Sequence, residues 1–142
     1  MQKSYTVGTM RAGALVLMGA WLAMPAIASD DGSCSNANTQ AQMNTCAAEE
    51  YQRADGALNS AYREVMARLT DNAPARAKLR AAQRAWISFR DAECAYVSSA
   101  TEGGSVQAMV RNQCLTHMTS ERTQTLQEFG TCEEGDLSCV RQ

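Results

Sequence analysis

Two sets of polar side chains recur at helical spacing and could carry chemistry. Asp55, Asn59 and Tyr62 stand four and three residues apart, and Gln83, Trp86, Arg90, Asp91 and Cys94 follow nearly the same rule. Residues at such intervals share one helix face. A catalytic use would make Asp55 or Asp91 a general acid or base and Arg90 an anion clamp. No nucleophile stands beside them in the sequence, and one arginine makes a poor substrate pocket. The residues therefore favour a framework in which Arg90 forks onto Asp55 across a helix pair and Asn59 completes the network, fixing register at little net gain in stability. Its expected members are Asp55, Asn59, Tyr62, Trp86, Arg90 and Asp91, and no catalytic residue is assigned.

Cys114 and His117, three apart, could pair a thiolate with its base. That chemistry needs a reduced sulfur, and six cysteines, at 34, 46, 94, 114, 132 and 139, read instead as a disulfide framework. Oxidation leaves His117 a surface residue. No Cys-x-x-Cys occurs and His117 is the only histidine, so no metal site is expected. A third candidate is Glu102-Gly103-Gly104-Ser105. Glycines at a helix start leave backbone donors exposed, where an anion or a partner's carboxylate can sit. These four residues are the expected partner-binding site, and the alternative is a plain tight turn. Several of the eight methionines and two tryptophans fall in the leader and most others on the apolar stripes, so they require no cofactor.

The elements that must hold these groups are helical. Thr39 with Gln42 has the form of a capping box. Beyond it Met43, Ala47, Tyr51, Ala54, Leu58, Tyr62, Val65 and Leu69 form one stripe, which predicts a helix to about Leu69. Asp71-Asn72-Ala73-Pro74 breaks the pattern, with the proline suited to a new first turn. Leu79, Ala82, Trp86, Phe89 and Tyr96 continue it to about Ser99, before Thr101-Glu102-Gly103-Gly104 stops it. Ser105 is placed to cap a third helix with Val106, Val110, Cys114, Met118, Leu126 and Phe129 on its stripe, ended by Gly130 as a left-handed terminator. Beta-type alternation is absent. The expected fold is all-α, a small three-helix antiparallel bundle stapled by disulfides. A hairpin folded near Asn72 sets residue 94 opposite about residue 50, which favours Cys46–Cys94, leaving Cys34–Cys114 and a terminal Cys132–Cys139 loop. Cys94–Cys114 is the rival pairing.

The ends and the charge bound the setting. Lys3 and Arg11, an uncharged apolar run from Ala12 to Ala26, and Ala26-Ile27-Ala28 before Ser29 read as a secretory signal peptide over residues 1–28. The apolar run is too short to span a membrane. Asp31-Gly32-Ser33 before Cys34 does not match a lipoprotein signal, so no membrane anchor is expected after cleavage. Residues 29–142 then form one domain, with a core over 34–129 and a disulfide-closed tail at 130–142. Without the leader, 11 basic residues face 15 acidic ones, a net charge of -4. That balance makes nucleic acid an unsuitable partner; it suits a basic protein partner, and it is also the charge that an ordinary soluble domain carries.

The combination of Cys34, Thr39-Gln40, Met43-Asn44-x-Cys46, Tyr51, Ala54-Asp55-x-x-Leu58-Asn59-x-x-Tyr62, Leu79-x-x-Ala82-Gln83-x-x-Trp86-x-x-Phe89-Arg90-Asp91-x-x-Cys94, Gly103-Gly104-Ser105 and Cys114 resembles the LprI-type lysozyme-inhibitor domain family, long described as a domain of unknown function. The resemblance covers about residues 34–129. It implies a helical periplasmic or cell-envelope protein and, for the member that names the family, inhibition of a c-type lysozyme. That member is a lipoprotein, whereas this chain lacks the acylated cysteine, and Cys132 and Cys139 lie outside the family core. The expectation is an exported, non-enzymatic binding protein that occludes a muramidase cleft. The rival is an envelope-stress or scaffold protein that binds another periplasmic partner; an enzyme dependent on Asp55, Asp91 or Arg90 is the third reading.

Overall fold

The computed structural model describes residues 34–131 and 140, so the expected signal peptide and the expected Cys132–Cys139 bridge fall outside the described residues. A 3-10 turn at Cys34–Asn36 leads into α1 (Gln40–Arg68), then α2 (Ala73–Ser98), a second 3-10 turn at Ser99–Thr101, and α3 (Gln107–Phe129). The all-α expectation holds, with no strand among the described residues.

Helix ends follow from side-chain chemistry at two of the three starts. The Thr39 hydroxyl accepts from the Gln42 amide at 3.2 Å while Gln42 Oε1 accepts from the Thr39 amide at 3.0 Å, the reciprocal box the sequence predicts. Asn72 caps α2 through Oδ1 on the Ala75 amide, and Pro74 lies in the first turn, where its missing donor leaves nothing unpaired. The start of α3 departs from expectation. Its cap position is Val106, with no side-chain hydrogen bond, so Ser105 is not the capping residue. Gly130 at the other end has φ -84°, a right-handed conformation, and is not a left-handed terminator. The Arg68 guanidinium reaches the Gly130 carbonyl and satisfies that end from α1.

Successive helices run antiparallel, and the closest pair is α1 with α3, which run side by side in the same direction. Asn44 Nδ2 donates to the Ser105 carbonyl at 2.9 Å at one end, and Arg68 meets Gly130 at the other. α2 packs mainly on α3. The apolar core sits toward the Asn72 end, where Leu58, Ala61, Val65, Leu69 and Leu126 are buried and Tyr62, Ala75, Leu79 and Trp86 lean on them. Burying Leu58 or Leu126 completely contributes roughly 2 kcal/mol by area bookkeeping.

The inward faces of α2 and α3 are more polar than their apolar stripes predict. α2 buries Gln83, Arg90, Cys94 and Ser98, whereas Phe89 and Tyr96 are 57% and 76% exposed and Ala82 is exposed too. α3 buries Leu115, Thr119, Thr123 and Leu126, and leaves Phe129 half exposed. Each buried hydroxyl has a partner: Ser98 donates to the Cys94 carbonyl at 2.8 Å, and Thr123 donates to the Thr119 carbonyl at 2.8 Å.

The disulfides join Cys34 to Cys46 and Cys94 to Cys114, with Cα–Cα separations of 5.8 and 5.6 Å. This overturns the favoured Cys46–Cys94 and Cys34–Cys114 pairs and confirms the rival Cys94–Cys114. The physical reason is helix separation. The hairpin register is as expected, since Arg90 lies opposite Asp55, but the α1 and α2 backbones hardly approach each other. A disulfide requires Cα atoms within about 7 Å. The 3-10 turn instead folds Cys34 back onto the second turn of α1, and the short α2–α3 connection brings Cys94 beside Cys114.

Candidate functional site

Arg90 is the centre of the polar cluster. It is 5% exposed, and every polar edge of its guanidinium has a partner. Nε and Nη2 both point at Asp91 Oδ1, at 3.0 and 2.9 Å, Nη1 donates to the Thr119 hydroxyl at 3.2 Å, and Nη1 lies 3.6 Å from Asp55 Oδ1. Asn59 Nδ2 donates to the other Asp55 oxygen at 2.9 Å. Tyr51 and Trp86 present their rings to the same guanidinium at 5.4 and 5.2 Å, a spacing at which a cation is attracted to an aromatic face. One cation thereby ties α1, α2 and α3 together.

The structure brings together Asp55, Asn59, Trp86, Arg90 and Asp91, as the spacing predicts. The fork falls on neighbouring Asp91, and Asp55 takes the longer contact. Tyr62 does not join: it packs against the apolar core. Two members were missed. Tyr51 was assigned to the apolar stripe, and Thr119 had no sequence signal beyond lying on α3. Burial pushes the Tyr51 hydroxyl pKa up, opposed by the nearby Arg90 charge, with Asp55 and Asp91 adding to the rise.

A second cation extends the cluster. Arg122 Nε donates to Gln83 Oε1 at 3.1 Å, and its guanidinium lies 5.9 Å from both the Trp86 and Phe129 rings. Trp86 is therefore flanked by two arginines. Burial lowers the Arg122 pKa.

The Cys114–His117 thiolate pair is ruled out, because Cys114 is bonded to Cys94; His117 lies 3.4 Å from Glu121 on the α3 surface. Cys34, Cys46 and Glu50 converge within 4.8 Å, but the two sulfurs are joined to each other and offer no thiolate to a metal.

The 102–105 connection is exposed along its length. Gly103 has φ +75°, the left-handed region that glycine tolerates, and a Cβ on Gly104 would stand 3.1 Å from the Thr101 carbonyl oxygen. These two constraints account for the glycine pair. The loop's donors are largely spent: the Gly103 amide donates to Gln107 Oε1 at 3.2 Å, the Gly104 amide to the Thr101 carbonyl at 3.0 Å, and the Glu102 amide to the Ser99 carbonyl at 3.1 Å. An anion resting on the glycine amides, as the sequence suggested, would have to displace those bonds. What the loop offers outward is the Glu102 carboxylate on a braced turn.

The charges divide between the two ends of the bundle. The half nearer this loop carries Glu49, Glu50, Asp55, Asp91, Glu93 and Glu102 against Arg53, Arg111 and the buried Arg90. The half nearer Asn72 carries seven basic side chains, from Arg63 to Arg84 and Arg122, against Glu64, Asp71, Glu121 and Glu128.

Comparison with known proteins agrees with this architecture. The family model described as "Lysozyme inhibitor LprI" matches residues 31–126. An uncharacterised protein of Rhizobium meliloti (strain 1021) is 37% identical over 107 residues, an alignment that covers 68% of this chain and 77% of that protein. The crystal structure of a DUF1311 family protein from Pseudomonas putida KT2440 superposes with a TM-score of 0.62 at 30% identity, covering 69% of this chain and all of that one. Among the described residues no helix is long and apolar enough to cross a membrane. The paired cysteines, the helical frame around Arg90 and the match over residues 31–126 together establish that this chain belongs to the LprI lysozyme-inhibitor family.

Proposed function

We propose that the chain, once exported and freed of residues 1–28, is a periplasmic or secreted inhibitor that binds a lysozyme and occludes its cleft without catalysing a reaction. The observation that carries this reading is the family match over residues 31–126. Three features support it. The Arg90 cluster closes on itself, with both carboxylates engaged and the buried Thr119 hydroxyl taken up by Arg90, which suits framework better than turnover. The acidic half of the bundle suits a basic partner, drawn in by complementary fields. Glu102, Gly103, Gly104 and Ser105 sit at the tip of that half on a turn whose shape is fixed by Gly103 and Gly104, so a partner meets a preorganised surface.

The test is a turbidity assay in which purified, oxidised mature protein is titrated into a c-type lysozyme acting on bacterial cell walls. Lysis slows in proportion to added protein, and Glu102→Lys weakens the effect at least about tenfold, the size of one lost interfacial charge contact of roughly 1.4 kcal/mol. Unchanged lysis at large molar excess removes the reading. Fractionation of cells expressing the full chain tests export, with the shortened protein expected outside the cytoplasm.

A further inference from the structure

The turn at 102–105 is held by side-chain amides from two helices. On the α3 side, Gln107 accepts the Gly103 amide on Oε1 at 3.2 Å and donates its own backbone amide to the Gly104 carbonyl at 3.2 Å. On the α1 side, Asn44 donates from Nδ2 to the Ser105 carbonyl at 2.9 Å, and Asn44 Oδ1 accepts from Gln40 Nε2 at 2.9 Å. The α3 ladder begins at the Val106 carbonyl, which accepts from the Val110 amide at 3.1 Å. The Ser105 carbonyl falls outside that ladder and takes its donor from α1.

We propose that Asn44, steadied by Gln40, is the positioning residue of this turn: its hold on Ser105 keeps the turn in one shape and so sets how Glu102 meets a partner. The inference rests on the reading of Glu102–Ser105 as the contact with a lysozyme. Two adjacent glycines sample far more backbone conformations than other residues do, so the turn needs a hold from outside itself. The bonds to Ser99, Thr101 and Gln107 are local and travel with the turn. Among the described hydrogen bonds, that of Asn44 is the one that ties the turn to another helix, across a separation of 61 residues. A partner that binds a loose turn must order it first, and that cost is subtracted from the affinity.

A short amide is the residue type this role requires. It offers a donor for the carbonyl and, on the other atom, an acceptor for the neighbour that orients it. Gln40 stands one turn earlier on the same face of α1, and its Nε2 also lies 3.9 Å from Met109 Sδ on α3, so the pair spans the α1–α3 seam. Both residues belong to the pattern that resembles the LprI family, yet neither takes part in the leucine core or the Arg90 cluster.

Backbone amide exchange by NMR and lysozyme inhibition, both on the oxidised protein, test the inference together. Asn44→Ala, with intact helices by circular dichroism, speeds exchange at Gly103, Gly104 and Gln107 at least about fivefold and weakens inhibition by about the same factor, the size of one net hydrogen bond. Asn44→Asp, which keeps the acceptor for Gln40 and removes the donor, speeds the same amides. Thr45→Ala, whose lost hydroxyl bonds back to the Ala41 carbonyl on its own helix, moves neither readout. In a Glu102→Lys background, Asn44→Ala weakens inhibition by less than a further factor of about two, because position 44 acts through the turn. Fully additive losses would mean that Asn44 touches the partner itself, and they overturn the inference. Unchanged exchange in both Asn44 variants overturns it equally. A wild type that fails to slow lysis removes lysozyme as the partner, and the exchange rates then decide by themselves whether Asn44 sets the turn.

Discussion

Replacing Arg90 by methionine separates a positioning role from a contact role. The substitution keeps most of the volume and removes the charge that joins the three helices. The Thr119 hydroxyl, on a residue with no exposure, loses a charge-assisted donor, worth about 1.5–3 kcal/mol. The Tyr51 and Trp86 faces lose a cation, about 0.5–1 kcal/mol each. Asp55 and Asp91 have side chains 42% and 48% exposed, so water rescreens them and each ion pair contributes only about 0–1 kcal/mol. Against these losses stands the desolvation that the buried guanidinium no longer suffers, together with the packing of the methionine itself. The balance is a destabilisation of about 2 kcal/mol, or a fall in Tm of roughly 8–16 °C for a domain of this size. Urea unfolding of the oxidised protein measures it directly. Asp55→Asn and Asp91→Asn should each cost under about 1 kcal/mol in the same assay. A methionine variant as stable as wild type that no longer inhibits lysozyme would refute the argument, because Arg90 would then be acting on a partner.

Other consequences are open to direct measurement. Non-reducing peptide mapping yields Cys34–Cys46 and Cys94–Cys114 linked peptides, and replacing both Cys94 and Cys114 by alanine lowers stability by about 3 kcal/mol, the loop-closure value for a separation of 20 residues. Gly103→Ala costs about 1 kcal/mol in urea unfolding; nothing lies within 4 Å of the added Cβ, so the loss comes from the positive φ alone. With the Tyr51 pKa raised by burial, its phenol ionises more readily in the unfolded chain, so stability holds below about pH 10 and erodes as the pH climbs past it. Tyr51→Phe flattens that alkaline decline, and an unchanged decline would place its cause elsewhere.

The helices were legible because caps and breakers act locally. Thr39, Gln42, Asn72 and Pro74 each satisfy or withhold a backbone bond within one turn, and the predicted boundaries of α1 and α2 stand within a residue or so. Which side of α2 faces inward was not legible, because a stripe of apolar residues is evidence for burial only when something covers it. Phe89 and Tyr96 looked like core by periodicity, yet Arg90, Gln83 and Ser98 occupy the interior, each matched to a polar atom on its own or a facing helix. The reason lies on α3, whose Thr119 and Thr123 make that interface polar, and no property of α2 alone announces it. The cysteine pairing failed for a related reason. The hairpin register placed residue 94 opposite residue 50 correctly, but register fixes height along a helix and leaves lateral separation open. The side chains of Tyr51 and Arg90 fill the gap between α1 and α2, which no bridge between Cys46 and Cys94 could span.

Both described disulfides lie toward the loop end, whereas the leucine and valine cluster lies toward the Asn72 end. Cohesion is thus covalent at one pole and hydrophobic at the other. Reduction of the two bonds therefore loosens the loop pole before the Asn72 pole, whose leucines and valine hold together without them.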